Sequence, residues 1–234
     1  MSSTGSQRRR GPRRVLSEDE ILDAALSLLD QGGTDAVSVR GIANAVGLAP
    51  NAIYTYFPNK AALMAALAER LLGEVDHGVL ESRDLPWRQR AEAFALELRA
   101  HLTAHPGAVE LIVASPLNGP HALALNEMLL ELFAEAGLDP DTAARGAFVL
   151  VVYILGAMVR EVAGLRDTSS EPSERRRIAA RLRTLAETPP DRYPRTAAAA
   201  DAIADRISTD HYLWGLHRVL DGITVPPTEA PGRV

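Results

Sequence analysis

The sequence predicts an all-α fold. Apolar residues make up 47% of the 234 residues, which is enough to bury one large core or two small ones. Apolar side chains recur at helical spacing, as in the run Ile21, Leu22, Ala25, Leu28 and Leu29. Alternating β-branched residues, the usual mark of strands, are scarce. These observations predict helices throughout the chain.

The composition excludes several classes of protein. Cysteine is absent, so a disulfide framework and thiolate metal sites are excluded. The best candidate for a membrane span, residues 146–159, is shorter than the roughly 18 apolar residues that a span needs. No apolar stretch follows the basic N-terminus, so no secretory signal is expected. We therefore expect a cytoplasmic protein with no membrane segment.

Charge is unevenly distributed along the chain. The net charge of −5 argues against general nucleic-acid binding through bulk charge. Residues 1–16, however, are mainly Ser, Gly, Pro and Arg and predict a flexible basic arm. Lys60 is the only lysine in the sequence, so its position is of special interest.

The start and stop signals of three helices follow the arm. Ser17 and Glu20 form a capping box for a first helix, and the Gly32-Gly33 pair ends it. A second, short helix is predicted over residues 39–46, because Ser38 can cap it and a glycine follows it. Pro50 suits the first turn of a third helix, where its missing N–H costs nothing.

The third helix can only be about two turns long, because Pro58 closes it. Two short helices joined by a turn that contains Gly47 are typical of the helix-turn-helix motif. Asn59 then caps a long fourth helix, predicted from Lys60 to about residue 80. An N-terminal three-helix domain is therefore predicted.

The third helix carries side chains suited to the major groove of DNA. Tyrosine hydroxyls can donate to phosphates, alanine and threonine methyl groups suit the thymine methyl, and asparagine can pair with adenine. A lysine at the N-terminus of a helix, such as Lys60, gains no stabilisation from the helix dipole. A bound phosphate would explain a positive charge at this position. The alternative is a plain helical hairpin with exposed tyrosines. The candidate contacts are Asn51, Ala52, Tyr54, Thr55, Tyr56 and Lys60.

The segment LSEDEILDAALSLLDQGGTDAVSVRGIANAVGLAPNAIYTYFPNKAALMAAL resembles the DNA-binding domain of the tetracycline-repressor (TetR) family of transcriptional regulators. The shared features are the first helix with its glycine stop, S-V-R-x-I-A, V-G-L and Y-F-x-N-K-x-x-L. Ala49 and Pro50 depart from the polar residues of the tetracycline repressor itself, so its operator sequence does not carry over. The resemblance implies operator contacts by Arg40, Asn51, Ala52, Tyr54, Tyr56 and Lys60.

The rest of the chain predicts a larger helical domain. Its stretches within 85–165 and 208–223 resemble the tetracycline-repressor type of C-terminal domain, which implies an effector-binding domain and a two-fold dimer. The helices at 140–164 and 208–222 suit an intersubunit four-helix bundle, with ordinary intrachain core as the alternative. The polar, arginine-rich segment 166–207 predicts two modest helices on a loosely packed excursion.

These features divide the chain into four parts. They are the basic arm (1–16), the helix-turn-helix DNA-binding domain (17–62), the effector-binding and dimerisation domain (63–223) and a frayed tail (224–234).

A ligand pocket is predicted between the helices of the C-terminal domain. Most of the side chains that they offer are apolar, which predicts a small, mainly hydrophobic effector fixed by a few hydrogen bonds. Asn126 and Arg160 could add polar contacts. The candidate lining residues are Phe94, Leu98, His101, Leu111, Ser115, Asn118, Met128, Leu129, Phe133, Tyr153 and Met158.

No metal and no cofactor is predicted. His101 and His105 have a chelating spacing, but no cysteine completes a site, so structural histidines are the simpler interpretation. The tetracycline repressor holds its magnesium-bound drug through a histidine whose place is taken by Leu111 here, and Arg160 takes that of an assisting acidic residue. The resemblance therefore implies an effector that binds without Mg²⁺.

No nucleophile elbow, P-loop or dinucleotide fingerprint is present in the sequence, and no catalysis is expected. We expect a repressor that binds a palindromic, double-stranded operator as a homodimer and is released by its effector. The alternative is a helical small-molecule-binding protein or enzyme with a vestigial DNA-binding motif. Binding of the chain to its own upstream DNA would distinguish the two.

Overall fold

A computed structural model describes residues 17–165 and 173–224. The predicted basic arm, residues 166–172 of the polar segment and residues 225–234 of the tail lie outside the described residues. The described part is helical and contains no strand, which confirms the all-α prediction. Its helices are α1 (Glu18–Ala36), α2 (Val39–Val46), α3 (Pro50–Ile53), α4 (Lys60–Gly73), α5 (Gly78–Glu81), α6 (Trp87–Ala104), α7 (Pro106–Ala114), α8 (Pro120–Glu135), α9 (Pro140–Leu165), α10 (Glu174–Ala186), α11 (Pro194–Ala198), α12 (Ala200–Asp205) and α13 (Thr209–Thr224).

The chain forms two compact units, one as far as Leu67 and the other from Ala68 onward. The division therefore falls inside α4, which also contains the boundary between residues 62 and 63 expected from the sequence.

The first unit is built from α1, α2, α3 and the start of α4. The side chain of Ser17 accepts a hydrogen bond from the backbone of Glu20, and the Glu20 carboxylate accepts one from the backbone of Ser17, so the capping box is present. Gly32 and Gly33 have non-helical backbone angles inside α1, which agrees with the predicted glycine stop. The core of this unit contains Ile21, Leu22, Ala25, Leu29, Val37, Ile42, Ala43, Ile53, Phe57, Leu63 and Leu67.

The third helix is shorter than predicted. It ends at Ile53, and Tyr54 is already its C-cap. The next backbone bonds join residues three apart, from the N–H of Thr55 to Ala52 and from that of Tyr56 to Ile53, a tightening common at helix ends. Phe57, which follows this turn, is only 6% exposed. Because the helix has only four residues, the prediction of two helical turns was wrong.

The fourth helix also ends early, at Gly73 rather than near residue 80. A Cβ added at Gly73 would lie 2.8 Å from a ring carbon of His121, so the close approach of that imidazole requires a glycine. After the break, the Asp76 carboxylate accepts a hydrogen bond of 2.9 Å from the backbone of Gly78, and the short helix α5 begins there. The uninterrupted helix predicted from the sequence is replaced by two.

The second unit is arranged around α9, which packs against α6, α7, α8 and α13. The polar segment forms three helices, α10, α11 and α12, instead of the predicted two, and α10 packs on α12. Neither α10 nor α11 has a fully buried residue, so this region is held by few core contacts. The last helix continues past Gly222 to Thr224, beyond the predicted stop.

One helix within the described residues, over Pro140–Ala163, is long and apolar enough to cross a membrane by length and composition alone. The uninterrupted apolar run within it, residues 146–159, is shorter than a membrane span, and the longer segment includes polar residues. Four other helices cover part of this helix, and its uncovered residues include Phe148, Val149, Val152 and Val159.

Candidate functional site

The turn between α2 and α3 has the geometry of a helix-turn-helix. The side chain of Ser38 caps α2 by accepting a hydrogen bond of 3.0 Å from the backbone of Gly41. Gly47 ends the helix with φ +73°, a left-handed conformation that favours glycine. The N–H of Leu48 then donates to the carbonyl of Ala43 over 2.8 Å, which directs the chain toward α3.

The buried residues of this region anchor it and leave the predicted contact residues outside. Ile42, Ala43 and Ile53 are at most 1% exposed and pack α2 and α3 into the first unit. On the outer side, the side chains of Arg40, Asn51, Tyr54, Thr55 and Lys60 are exposed, and those of Ala52 and Tyr56 are half-buried. Each of the predicted residues is therefore at least partly accessible to solvent.

Lys60 begins α4 directly after a cap. The side chain of Asn59 accepts a hydrogen bond of 2.8 Å from the backbone of Ala62 and so caps the helix. Within residues 17–165 and 173–224, no carboxylate lies within 4.0 Å of the Lys60 ammonium. A cation beside a helix N-terminus is an arrangement that can bind phosphate.

An apolar cavity of about 320 Å³ lies within the second unit. Its walls come from α4, α6, α7, α8 and α9, and Asn126 is the single polar side chain among the described residues that line it. The rim residues Leu123 and Phe148 are 57% and 70% exposed, so the cavity is open on that side. The lining residues are Leu72, Leu98, Ile112, Leu117, Ala122, Leu123, Leu125, Asn126, Leu129, Ala144, Ala147, Phe148, Val151 and Leu155.

Of the eleven lining residues predicted from the sequence, only Leu98 and Leu129 line this cavity. Phe94, Phe133 and Met158 are fully buried and fill the core instead. Leu111 is also buried, and the Ser115 hydroxyl donates a hydrogen bond to the Leu111 carbonyl over 2.8 Å.

The remaining predicted residues lie elsewhere. His101 and Met128 are half-buried, and Asn118 is exposed. The prediction of Asn126 as a polar contact agrees with the lining.

Tyr153 belongs to a second cavity of about 380 Å³, formed by α9, α10, α13 and the residues that join α12 to α13. Its hydroxyl donates to the backbone carbonyl of Tyr212 over 2.5 Å. Next to it, the Glu161 carboxylate receives two hydrogen bonds of 2.9 Å from Arg99. Sequence analysis did not single out this cavity, because its residues come from positions far apart in the chain.

The histidines of the second unit include two, His77 and His101, with lowered pKa values. No group of three or more His, Asp or Glu side chains suited to a metal is found in the described parts of the chain. Burial and the neighbouring His105 lower the pKa of His101, and burial and His121 lower the pKa of His77. Both rings are therefore held in the neutral form, which fits the structural interpretation of His101.

Two family models match the chain along most of its length. The model described as "Bacterial regulatory proteins, tetR family" matches residues 21–67. The model described as "Tetracyclin repressor-like, C-terminal domain" matches residues 82–226. The chain belongs to the TetR family. The two matches confirm the resemblance drawn from the sequence motifs. TetR-family proteins are transcriptional regulators and not enzymes.

Similar proteins agree with this assignment. The HTH-type transcriptional repressor DrrR1 of Streptomyces coeruleorubidus is 27% identical over 227 residues, which span 95% of this chain and 82% of DrrR1. The crystal structure of a possible TetR family transcriptional regulator from Streptomyces coelicolor A3(2) is 28% identical, with a TM-score of 0.75, covering 88% of this chain and 98% of that one.

The Streptomyces coelicolor TetR family protein ActR, solved in complex with actinorhodin, is 22% identical, with a TM-score of 0.75. The likeness covers 89% of this chain and 97% of ActR and concerns the fold. The helix-turn-helix and the larger helical domain of our chain are thus those of the TetR fold.

Proposed function

We propose that this TetR-family protein is a cytoplasmic repressor that binds a palindromic operator as a homodimer and leaves it when a small hydrophobic molecule binds. The apolar cavity of about 320 Å³ carries this proposal, because it offers a ligand apolar walls and one polar anchor. Pockets of this size and lining are typical of small-molecule sites.

The DNA-binding part of the proposal rests on the exposed residues around α3. Asn51, Tyr54 and Thr55 are accessible and uncharged, so they can approach base edges without electrostatic repulsion. Arg40 and Lys60 supply positive charge on either side of α3 and would contact phosphates. Ala52 and Tyr56, which are half-buried, would contact the groove at closer range.

The homodimer rests on apolar side chains that the single chain leaves uncovered. On α9, Val149, Val152 and Val159 are between 45% and 51% exposed, and on α13 Trp214 is 61% exposed. Both helices were predicted to form an intersubunit bundle. A two-fold pairing of these faces would cover the apolar surface and would match a palindromic site.

The chemistry of the cavity supports a hydrophobic effector. Thirteen of its fourteen lining residues are apolar, so the transfer of apolar ligand surface from water would provide most of the affinity. The amide of Asn126 can donate or accept one or two hydrogen bonds and would orient the ligand. Hard cations prefer several oxygen ligands, and this lining offers only the one amide, so we propose binding without Mg²⁺.

Two measurements test this proposal. A gel-shift titration with duplexes from the DNA upstream of the protein's own coding sequence should give a protein–DNA complex. A flat apolar compound should dissociate this complex to the same extent with and without a chelator. The Ala147→Phe variant should bind the operator normally but resist release, because the larger ring fills the cavity. Ala136→Phe, a half-buried residue outside the cavity, serves as the control. Release that requires Mg²⁺, or that survives Ala147→Phe unchanged, contradicts the proposal.

A further inference from the structure

The second cavity of the C-terminal unit is lined by three arginines. Arg160 lies on α9, Arg181 on α10, and Arg206 directly after α12. None of the three has a carboxylate within 4.0 Å among the described residues 17–165 and 173–224. The pKa of Arg181 is lowered mainly by burial and, to a smaller extent, by the positive charges of Arg206 and Arg160. The three guanidinium groups are therefore close enough to repel one another.

Among the described residues that line this cavity, the one acidic side chain, Glu161, is already neutralised. Glu161 is 9% exposed, and Arg99 binds both of its carboxylate oxygens at 2.9 Å. The guanidinium of Arg177 approaches the same carboxylate at 3.8 Å. Glu161 is therefore already paired, and the three arginines have no carboxylate partner of their own among residues 17–165 and 173–224.

Arginine side chains remain charged at any physiological pH, so the cluster cannot relieve its repulsion by losing a proton. Other arginines of the same unit meet a carboxylate, for example Arg70 with Glu74 at 2.8 Å and Arg88 with Asp221 at 2.9 Å. An anion from outside the chain would supply the missing charge, and guanidinium groups bind carboxylates in a bidentate manner.

One wall of the cavity is aromatic. The rings of Tyr153 and Tyr212 stack at 5.7 Å with an angle of 25° between their planes. Both hydroxyls are engaged with backbone carbonyls, that of Tyr153 with Tyr212 and that of Tyr212 with Ala95 over 2.9 Å. Tyr212 is only 5% exposed, so the half-buried ring of Tyr153 provides most of the aromatic surface, and Ala157 and Ile207 extend it.

We propose that this arginine cavity binds a small organic anion, a carboxylate carried on an aromatic or alicyclic ring, separately from the apolar cavity. The carboxylate would pair with Arg181 and Arg206, and the ring would lie toward the tyrosine wall. The volume of about 380 Å³ suits a molecule of one to three rings. Inorganic phosphate shares the charge but has nothing to place against the aromatic wall.

Isothermal titration calorimetry of the full chain tests this site with three probes. They are 2-naphthoate, the neutral and nearly isosteric 2-naphthamide, and inorganic phosphate. We expect the carboxylate to bind at one site per chain, and the amide and phosphate to bind at least about tenfold more weakly, since each lacks one half of the recognition. Equal affinity of acid and amide overturns the role of the arginines, and equal affinity of phosphate overturns that of the aromatic wall.

Variants locate the bound probe. Arg181→Gln with Arg206→Gln should weaken 2-naphthoate binding by at least about tenfold. Arg176→Gln, which removes an exposed arginine of α10 outside the cavity, should leave it unchanged. Ala147→Phe should also leave it unchanged, because it narrows only the apolar cavity. A result in which Ala147→Phe abolishes binding while the arginine pair is dispensable places the probe in the apolar cavity and overturns the proposal.

Folding of the variants can be checked independently. Removing one guanidinium from a repelling cluster should not lower the thermal midpoint of the unliganded protein. The single variant Arg206→Gln changes only an exposed side chain and repeats the test if the double variant unfolds. Normal 2-naphthoate affinity in a folded Arg206→Gln protein contradicts the proposed pairing.

Discussion

The carboxylate of Glu69 on α4 accepts a hydrogen bond of 2.8 Å from the backbone N–H of His121, the second residue of α8. It thereby serves as an N-cap for α8, whose own N-cap residue, Gly119, has no side chain. A Cβ added at Gly119 would lie 2.2 Å from the Glu69 carboxyl carbon, so the contact requires a glycine. Since Leu72 of α4 and Ala122 of α8 both line the apolar cavity, this bond fixes one of its edges.

Replacing Glu69 by Ala should therefore loosen the cavity edge without touching the DNA-binding residues. We expect a loss of about 1 kcal/mol in the free energy of unfolding, as for other lost helix caps. Operator affinity without effector should be unchanged, whereas more effector should be needed for half-maximal release. Urea denaturation and effector titration of a gel shift measure the two quantities.

A double-mutant cycle distinguishes this contact from a general effect. Gly119→Ala should displace the Glu69 carboxylate and reproduce the Glu69→Ala defect, and the double variant should be little worse than either single one. Glu127→Ala, at an exposed position of α8, is the control. Fully additive losses would show that the two residues act independently.

A second prediction concerns Lys60. Lys60→Ala should weaken operator binding by about 1–3 kcal/mol, the value of a charge-assisted phosphate contact, and should leave thermal stability unchanged because the side chain is exposed. Lys60→Arg keeps the charge and should retain most of the affinity. Gln31→Ala, an exposed change near the end of α1, provides the negative control. Binding measured by fluorescence anisotropy that is the same for Lys60→Ala and the parent protein would remove Lys60 from the interface.

A third prediction is a loss of stability in mild acid. The pKa values of His77 and His101 are lowered, mainly by burial, from the ordinary 6.5, so the unfolded chain binds protons more readily than the folded one. Their contribution to stability is complete above pH 6.5 and is lost as the pH falls toward the folded-state values. The buried Nε2 atoms of both rings have no hydrogen-bond partner in the described residues, which agrees with this sign.

Urea denaturation between pH 7.5 and 5 measures this effect. His101→Gln should show a shallower fall in the free energy of unfolding than the parent protein. His211→Gln, at an exposed position, should show the same fall. A pH dependence that is identical in all three proteins would exclude His101 as a source of it.

A fourth prediction uses the buried ion pair of Arg99 and Glu161. Arg99→Met should lower the free energy of unfolding by on the order of 2–4 kcal/mol, because it leaves a carboxylate in a poorly hydrated place with only the more distant Arg177. Glu74→Ala breaks the more exposed pair with Arg70 and should cost less than about 1 kcal/mol. Chemical denaturation that gives equal losses would mean that Glu161 is better hydrated than its 9% exposure indicates.

Local signals predicted most of the fold. Ser17, Ser38 and Gly47 each act on backbone groups within a few residues, so their roles can be read from the sequence, and all three have the predicted place in the structure. The length of α3 was wrong because the burial of Phe57, a tertiary contact, ends the helix before Pro58 does. The close approach of His121 to Gly73 likewise joins residues 48 positions apart in the chain.

The lining of the cavity was harder to predict, for a physical reason. In α9 apolar residues occur on every face, so periodicity does not distinguish the side directed at the core, as with Met158, from the side directed at the cavity, as with Ala147. The arginine cavity was not predicted as a separate site, although Tyr153 and Arg160 were named as ligand contacts, since positions 160, 181 and 206 meet only when α9, α10 and the end of α12 come together.

The uncovered side chains of α9 have a further consequence for the living cell. In the proposed homodimer, Val152 and Val159 would leave water only on association, so part of the stability of each chain would depend on how many chains are present. Dilution would favour the separated form, whose apolar helix invites proteolysis and aggregation. Mass action would then set a minimum concentration below which the regulator is not stable in the cell. A thermal midpoint that rises with protein concentration would indicate this dependence.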